Sequence, residues 1–134
     1  MKIRIKGNSI RYRVTQSEVA LLAETGLLLE KTCFGPGAEQ QFFYALETRD
    51  DIDHLHAAFQ HNRITMFVPA QAAKIWPNEE RIGFEQTIQV TPDTNLFLLL
   101  EKDFVCLDKT DEDQSDNYPH PHEEQKDGSK RGFC

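Results

Sequence analysis

The sequence predicts an α+β domain, mostly antiparallel, built on a strongly curved or barrel-like sheet of about eight strands with two short helices. Three observations predict it. Apolar and polar residues alternate with period two in several short segments, as half-buried strands require. Turn dipeptides such as Gly7-Asn8 and His61-Asn62 separate those segments. Helix-start chemistry occurs after Thr15 and again at Pro69.

Residues 2–14 read as a hairpin. Ile3 and Ile5 alternate with Lys2, Arg4 and Lys6; beyond the turn, Ile10, Tyr12 and Val14 alternate with Arg11 and Arg13. The apolar set is expected on a buried face and the basic set on the other. Thr15 and Glu18 form a capping box, Val14 and Val19 sit at the staple positions, and Gly26 can end the helix in a left-handed cap. Strands are expected over 28–34 and 40–48, around Phe34-Gly35-Pro36-Gly37. A second hairpin spans 54–68, turning at His61-Asn62. Pro69 opens a short helix that Pro77 closes. Final strands over 82–90 and 96–105 flank Thr91-Pro92-Asp93, and the run Leu96 to Leu100, apolar on both faces, predicts a central strand. No internal repeat is apparent.

The 134 residues suit one domain, with 39% hydrophobic and 28% charged residues. No run approaches the ~20 apolar residues of a membrane span, and the start lacks an apolar signal-peptide core. Cys33, Cys106 and Cys134 are too few and too scattered for a disulfide framework. A cytoplasmic protein with reduced thiols is therefore expected. The net charge of -7 argues against duplex nucleic acid as a partner. Composition divides the chain into a core domain, residues 1–105, and an acidic tail, residues 106–134. The tail is expected to pack on the core through Tyr118, Pro119, Pro121 and Phe133, with the basic hairpin face as its dock.

Two stretches, MKIRIKGNSIRYRVTQSEV and EKDFVCLDKTDEDQSDNYPHP, resemble a family of small uncharacterised bacterial proteins, a domain of unknown function. The resemblance covers most of the chain. It implies a one-domain bacterial cytosolic protein and no particular activity, cofactor or partner.

Two residue sets carry candidate chemistry. Cys106, His120, His122 and Cys134 supply thiolate and imidazole ligands of the kind zinc takes in a structural site. Their spacings are not those of zinc fingers, and a strand-end thiol with a loose terminal cysteine is the plainer reading. Lys2, Arg4, Lys6, Arg11 and Arg13 form a cationic ladder suited to an anionic, phosphate-bearing small molecule; a solvated face paired with acids is its plainer reading. His54 and His56 share a strand face beside Asp50, Asp51 and Asp53 and offer at most a weak divalent site. The run from Asp111 to Asp116 lacks the glycine and glutamate of a calcium loop. Phosphate-binding loops, dinucleotide fingerprints and nucleophile elbows are absent from the sequence. Cys33 has no sequence neighbour that would activate it as a nucleophile.

The function expected from this is a non-enzymatic binding or interaction protein, with a structural metal at the tail if the cysteine–histidine set is occupied. The alternative is an enzyme or binder acting on a phosphorylated small molecule through the basic hairpin. A deep pocket joining those cations to an acid such as Glu101 would favour the enzyme; a flat basic face covered by acids would favour the binder.

Overall fold

Four hairpins, joined in pairs by two helices, make up the protein. The computed structural model describes residues 1–104 and 115–119. Strands β1 (Lys2–Lys6) and β2 (Ser9–Val14) lead into helix α1 (Gln16–Thr25), then strands β3 (Leu27–Cys33) and β4 (Gln41–Arg49). Strands β5 (His56–Gln60) and β6 (Arg63–Pro69) lead into helix α2 (Ala70–Ile75), then strands β7 (Gly83–Thr91) and β8 (Thr94–Lys102). Single 3-10 turns occupy Ala38–Gln40 and Trp76–Asn78.

The eight strands and two short helices match the sequence expectation, but the barrel does not form. The strands make two open four-stranded sheets, ordered β1-β2-β8-β7 and β3-β4-β6-β5. Every hairpin is antiparallel, while β2 pairs with β8, and β4 with β6, in parallel. Each helix carries the chain out of one sheet and into the other, while β4 returns to its parallel neighbour β6 by way of edge strand β5; both are long connections of the kind a parallel pair needs. Strand β8 is central, as its apolar run predicts, but the run divides between faces: Leu98 and Leu100 are buried in the core with Leu96 packed against it, while Phe97 and Leu99 point outward.

The topology also shows a repeat that the sequence does not display. Strand–strand–helix–strand–strand occurs twice. Strand β1 at Lys2–Lys6 recurs as β5 at His56–Gln60, 54 positions on. The parallel registers agree with the same step, because Ser9 pairs with Phe97 in one sheet and Arg63 with Phe43 in the other. Buried Leu22 and Val19 of α1 match buried Trp76 and Ala73. Few identities survive, among them Ile10 with Ile64, Val14 with Val68, Leu46 with Leu100 and Glu47 with Glu101.

The inner faces of the sheets and the two helices share one core. Tyr12, fully buried, donates its hydroxyl to the Ile64 carbonyl at 3.0 Å and so ties one sheet to the other. Its ring meets Tyr44 edge-on at 6.3 Å. Trp76 packs edge-on against Phe84 at 5.0 Å and donates its indole N–H to the Arg81 carbonyl at 2.9 Å. Ile5, expected on the buried face, is 57% exposed, because the last residues of edge strand β1 run past the core.

The expected capping box closes the start of α1. The Thr15 hydroxyl accepts from the Glu18 N–H, and the Glu18 carboxylate accepts from the Thr15 N–H at 2.9 Å. Gly26 ends the helix at φ 79°, and a Cβ there would lie 2.8 Å from the Thr48 hydroxyl oxygen. Residues 115–119 lie at the N-terminus of α1. The Asp116 carbonyl accepts from Gln16 N at 3.1 Å and its carboxylate from the Ser17 hydroxyl at 2.5 Å. Unpaired N–H groups of a first helical turn attract such acceptors. Hydrogen bonds from Ser17 and then Thr15 hold the Asp116 carboxyl below its ordinary pKa. Tyr118 N donates to the Asp103 carbonyl at 2.8 Å, and its ring packs on Phe104 at 5.7 Å.

Two outcomes follow from these contacts. Thr15→Ala removes one half of the capping box and should lower stability by about 1 kcal/mol in urea unfolding, with an unchanged m-value. Burial, a hydrogen bond to Glu30 and the charges of Glu30 and Glu18 push the Tyr44 phenol from 10 up to about 12. A raised folded-state pKa gives stability that is complete below about pH 10 and is lost as pH climbs through about 12. Lys102, lowered by burial, acts in the opposite sense in the alkaline range. The check is therefore a difference: between about pH 10 and about pH 12 the melting temperature of the wild type should fall more steeply than that of Tyr44→Phe.

Candidate functional site

The first hairpin places all five ladder cations on the outer face of its sheet, because residues two apart in a strand share a face. Lys2 stands opposite Arg13, Arg4 opposite Arg11, and Lys6 opposite Ser9. The parallel pairing with β8 then sets Arg13 beside Glu101, Arg11 beside Leu99 and Ser9 beside Phe97. This puts one row of charges next to an acid and the next two rows next to apolar side chains.

The two ends of the ladder consequently differ. At one end the cations are neutralised. Arg13 Nε donates to Glu101 Oε1 at 3.0 Å with both residues buried, and Lys2 Nζ lies 3.0 Å from the buried carboxylate of Asp103. Gly83 stands opposite Glu101, and a Cβ there would come within 2.2 Å of the Leu100 carbonyl oxygen. That strand therefore approaches β8 as closely as only glycine allows.

At the other end the cations stay open. Arg4, Lys6 and Arg11, with Ser9, Ile10, Phe97 and Leu99, line a solvent-facing groove of about 250 Å³. Among the described residues, Arg4 and Lys6 have no carboxylate partner. Arg11 Nε forms an ion pair with Glu101 Oε1 at 3.6 Å, too far for a hydrogen bond, and among the described residues this buried atom has no hydrogen-bond partner. Burial, then the neighbouring charges of Arg13 and Arg4, hold the Arg11 pKa below its ordinary value, while Glu101 and Asp103 oppose them. The guanidinium stays charged at neutral pH all the same. The Ser9 hydroxyl donates to the Lys6 carbonyl at 2.7 Å, keeping its lone pairs free.

The other sequence candidates fare differently. Cys106, His120, His122 and Cys134 lie outside the described residues, as does the run from Asp111 to Asp113. His54 and His56 stack at 5.0 Å, and His54 Nδ1 lies 2.6 Å from Asp53 Oδ1. Among the described residues, however, no three His, Cys, Asp or Glu side chains gather as metal ligands would. Cys33 is exposed and free. Sequence reasoning found the cations but missed Ser9, Phe97 and Leu99 as groove residues. It also missed that Glu101 and Asp103 neutralise only one end. Those positions depend on the parallel pairing of β2 with β8, which strand periodicity does not specify.

These features define a class of protein: two mixed sheets around a shared core, with a cationic groove on one outer face. The chain belongs to a family of unknown function, DUF7009, whose model matches residues 1–122. No curated protein and no solved structure matches it. Among the described residues, no helix is long and apolar enough to cross a membrane.

The asymmetry of the ladder sets opposite expectations for two single substitutions. Glu101→Ala breaks the buried ion pair with Arg13 and should cost about 3–5 kcal/mol in denaturant unfolding. Arg4→Ala removes a cation that faces Arg11 directly, a like-charge pairing that destabilises strands. Its stability should be unchanged or slightly higher than wild type, by up to about 0.5 kcal/mol.

Proposed function

We propose that this is a non-enzymatic binding protein whose ligand is a small polyanion, such as a phosphorylated metabolite, held by Arg4, Lys6 and Arg11. The observation that carries this reading is Arg4 standing directly opposite Arg11, with Lys6 in the same solvent-facing groove and, among the described residues, no carboxylate partner for Arg4 or Lys6. Like charges directly opposed across a strand pair are destabilising. An anion in the groove relieves that repulsion. Guanidinium groups suit the task, since their planar forks match phosphate oxygens in pairs. Phe97 and Leu99 would carry the uncharged part of such a ligand, and the Ser9 hydroxyl, whose proton goes to the Lys6 carbonyl, can accept a hydrogen bond from it.

The lining favours binding over turnover. Among the described residues it offers cations, one hydroxyl and apolar surface, but no histidine or carboxylate to move a proton. Glu101, the nearest acid, is already engaged by Arg13.

The experiment is a melting series with inorganic pyrophosphate, set against sodium chloride at equal ionic strength. At about 100 times its Kd, pyrophosphate should add ~2.7 kcal/mol of stability. The variant carrying both Arg4→Ala and Arg11→Ala should lose that gain. An equal gain in this variant, or an equal gain from sodium chloride alone, would overturn the proposal.

A further inference from the structure

The repeat places a second groove on the opposite side of the molecule. On the outer face of the β3-β4-β6-β5 sheet lies an open groove of about 460 Å³, within the usual size range of small-molecule sites. It occupies the position in its sheet that the cationic groove occupies in the other. Phe43 stands where Phe97 stands, and Arg63 where Ser9 stands. Ala58 and Thr65 replace Arg4 and Arg11. The backbone concavity is thus kept and the chemistry changed.

The new chemistry is specific. Leu29, Phe43 and Phe67 make apolar walls, and Ala58 leaves the floor low. Two charged side chains remain in the lining, Arg63 and Glu47. Arg63 Nη2 lies 3.4 Å from Glu47 Oε1, a long contact, and Arg63 Nε donates to the Thr65 hydroxyl at 3.0 Å. Among the described residues, Arg63 Nη1 and Glu47 Oε2 have no partner. Both side chains are about a third or more exposed, at 34% and 40%. The groove therefore presents one open cationic donor and one open anionic acceptor side by side, against an apolar recess.

From this charge complementarity we propose a second ligand site that takes a free α-amino acid with an apolar side chain. Its carboxylate meets Arg63, its ammonium meets Glu47, and its side chain lies between Phe43 and Phe67 against Leu29. A simple anion suits the site poorly because Glu47 repels it, and a simple cation because Arg63 does. Only a zwitterion uses both groups at once. No residue of the cationic groove takes part, so this site and that one stand or fall separately.

The test is calorimetric titration of the full chain with L-phenylalanine, N-acetyl-L-phenylalanine and L-phenylalaninamide. The free amino acid should bind, and each blocked analogue should bind about tenfold or more weakly, the loss expected for one charged hydrogen-bonding group. Glu47→Gln should erase the preference for a free ammonium, and Arg63→Gln the preference for a free carboxylate. Ala58→Phe fills the groove without removing either charge and should abolish binding. Circular dichroism and melting curves confirm that each variant is folded. No heat of binding with L-phenylalanine would overturn the proposal. So would undiminished affinity for the amide, which would point to a peptide N-terminus instead, or full binding by Ala58→Phe.

Discussion

The parallel pairing of β2 with β8 is the constraint on which the rest of the structure depends. It joins the first hairpin to the last, across most of the chain, and its counterpart between β4 and β6 joins the middle two. Parallel neighbours cannot be linked by a tight turn, so β4 reaches β6 by way of β5, and β2 reaches β8 only after the chain has crossed between the sheets twice through the helices. The helices then pack on each other and help close the core from which Tyr12 reaches Ile64. The same pairing decides which cations are neutralised. A shift of one residue in its register would turn Leu98 and Leu100 out to solvent and drive charge into the core.

The two sheets show how one backbone plan supports different surfaces. Glu47 and Glu101 occupy equivalent positions, and so do Phe43 and Phe97. What differs is where the arginine sits. In one sheet Arg13 stands directly beside Glu101 and forms a buried pair at 3.0 Å. In the other, Phe67 takes that place, and Arg63 reaches Glu47 from further along the strand at 3.4 Å. The first arrangement consumes its acid and leaves surplus cations at the far end. The second leaves both partners half used. Some outer positions diverge in this way, as Arg4 and Arg11 do from Ala58 and Thr65, while Leu46 and Leu100 are identical, fully buried residues.

Local chemistry was legible in the sequence and long-range pairing was not. The capping box of Thr15 and Glu18, the Gly26 stop, the turn at His61-Asn62 with φ of 52° and 60°, and the ladder all depend on residues close in the chain. Periodicity reports such features directly. The two-sheet architecture depends instead on which hairpins meet, and alternation is the same for a strand of either sheet. The repeat escaped notice for a related reason. A fold constrains burial more than identity, so buried Leu22 and buried Trp76 fill matching positions with no likeness as letters. The apolar run at Leu96 to Leu100 announced a central strand correctly, but its outward half, Phe97 and Leu99, floors a groove rather than filling a core.

The strongest physical argument for a ligand is that the cationic groove is unfavourable as it stands. Arg4 faces Arg11 across the hairpin, and Lys6 stands one row further along. Like charges directly opposed destabilise a strand pair, and alternatives such as threonine would pair well at those positions. The other sheet supplies that comparison within the same molecule: at the equivalent positions it carries Ala58 and Thr65, and the hairpin there forms with the same antiparallel pairing. Folding of this hairpin type therefore does not require the arginines. Arg11 also lies 3.6 Å from Glu101, but Arg13 and Lys2 already engage Glu101 and Asp103 at 3.0 Å, so Arg4 and Lys6 are not needed to offset those acids. For Arg4 and Lys6 the fold offers no carboxylate partner among the described residues, and that surplus of charge beside Arg11 is what supports reading the groove as an anion site.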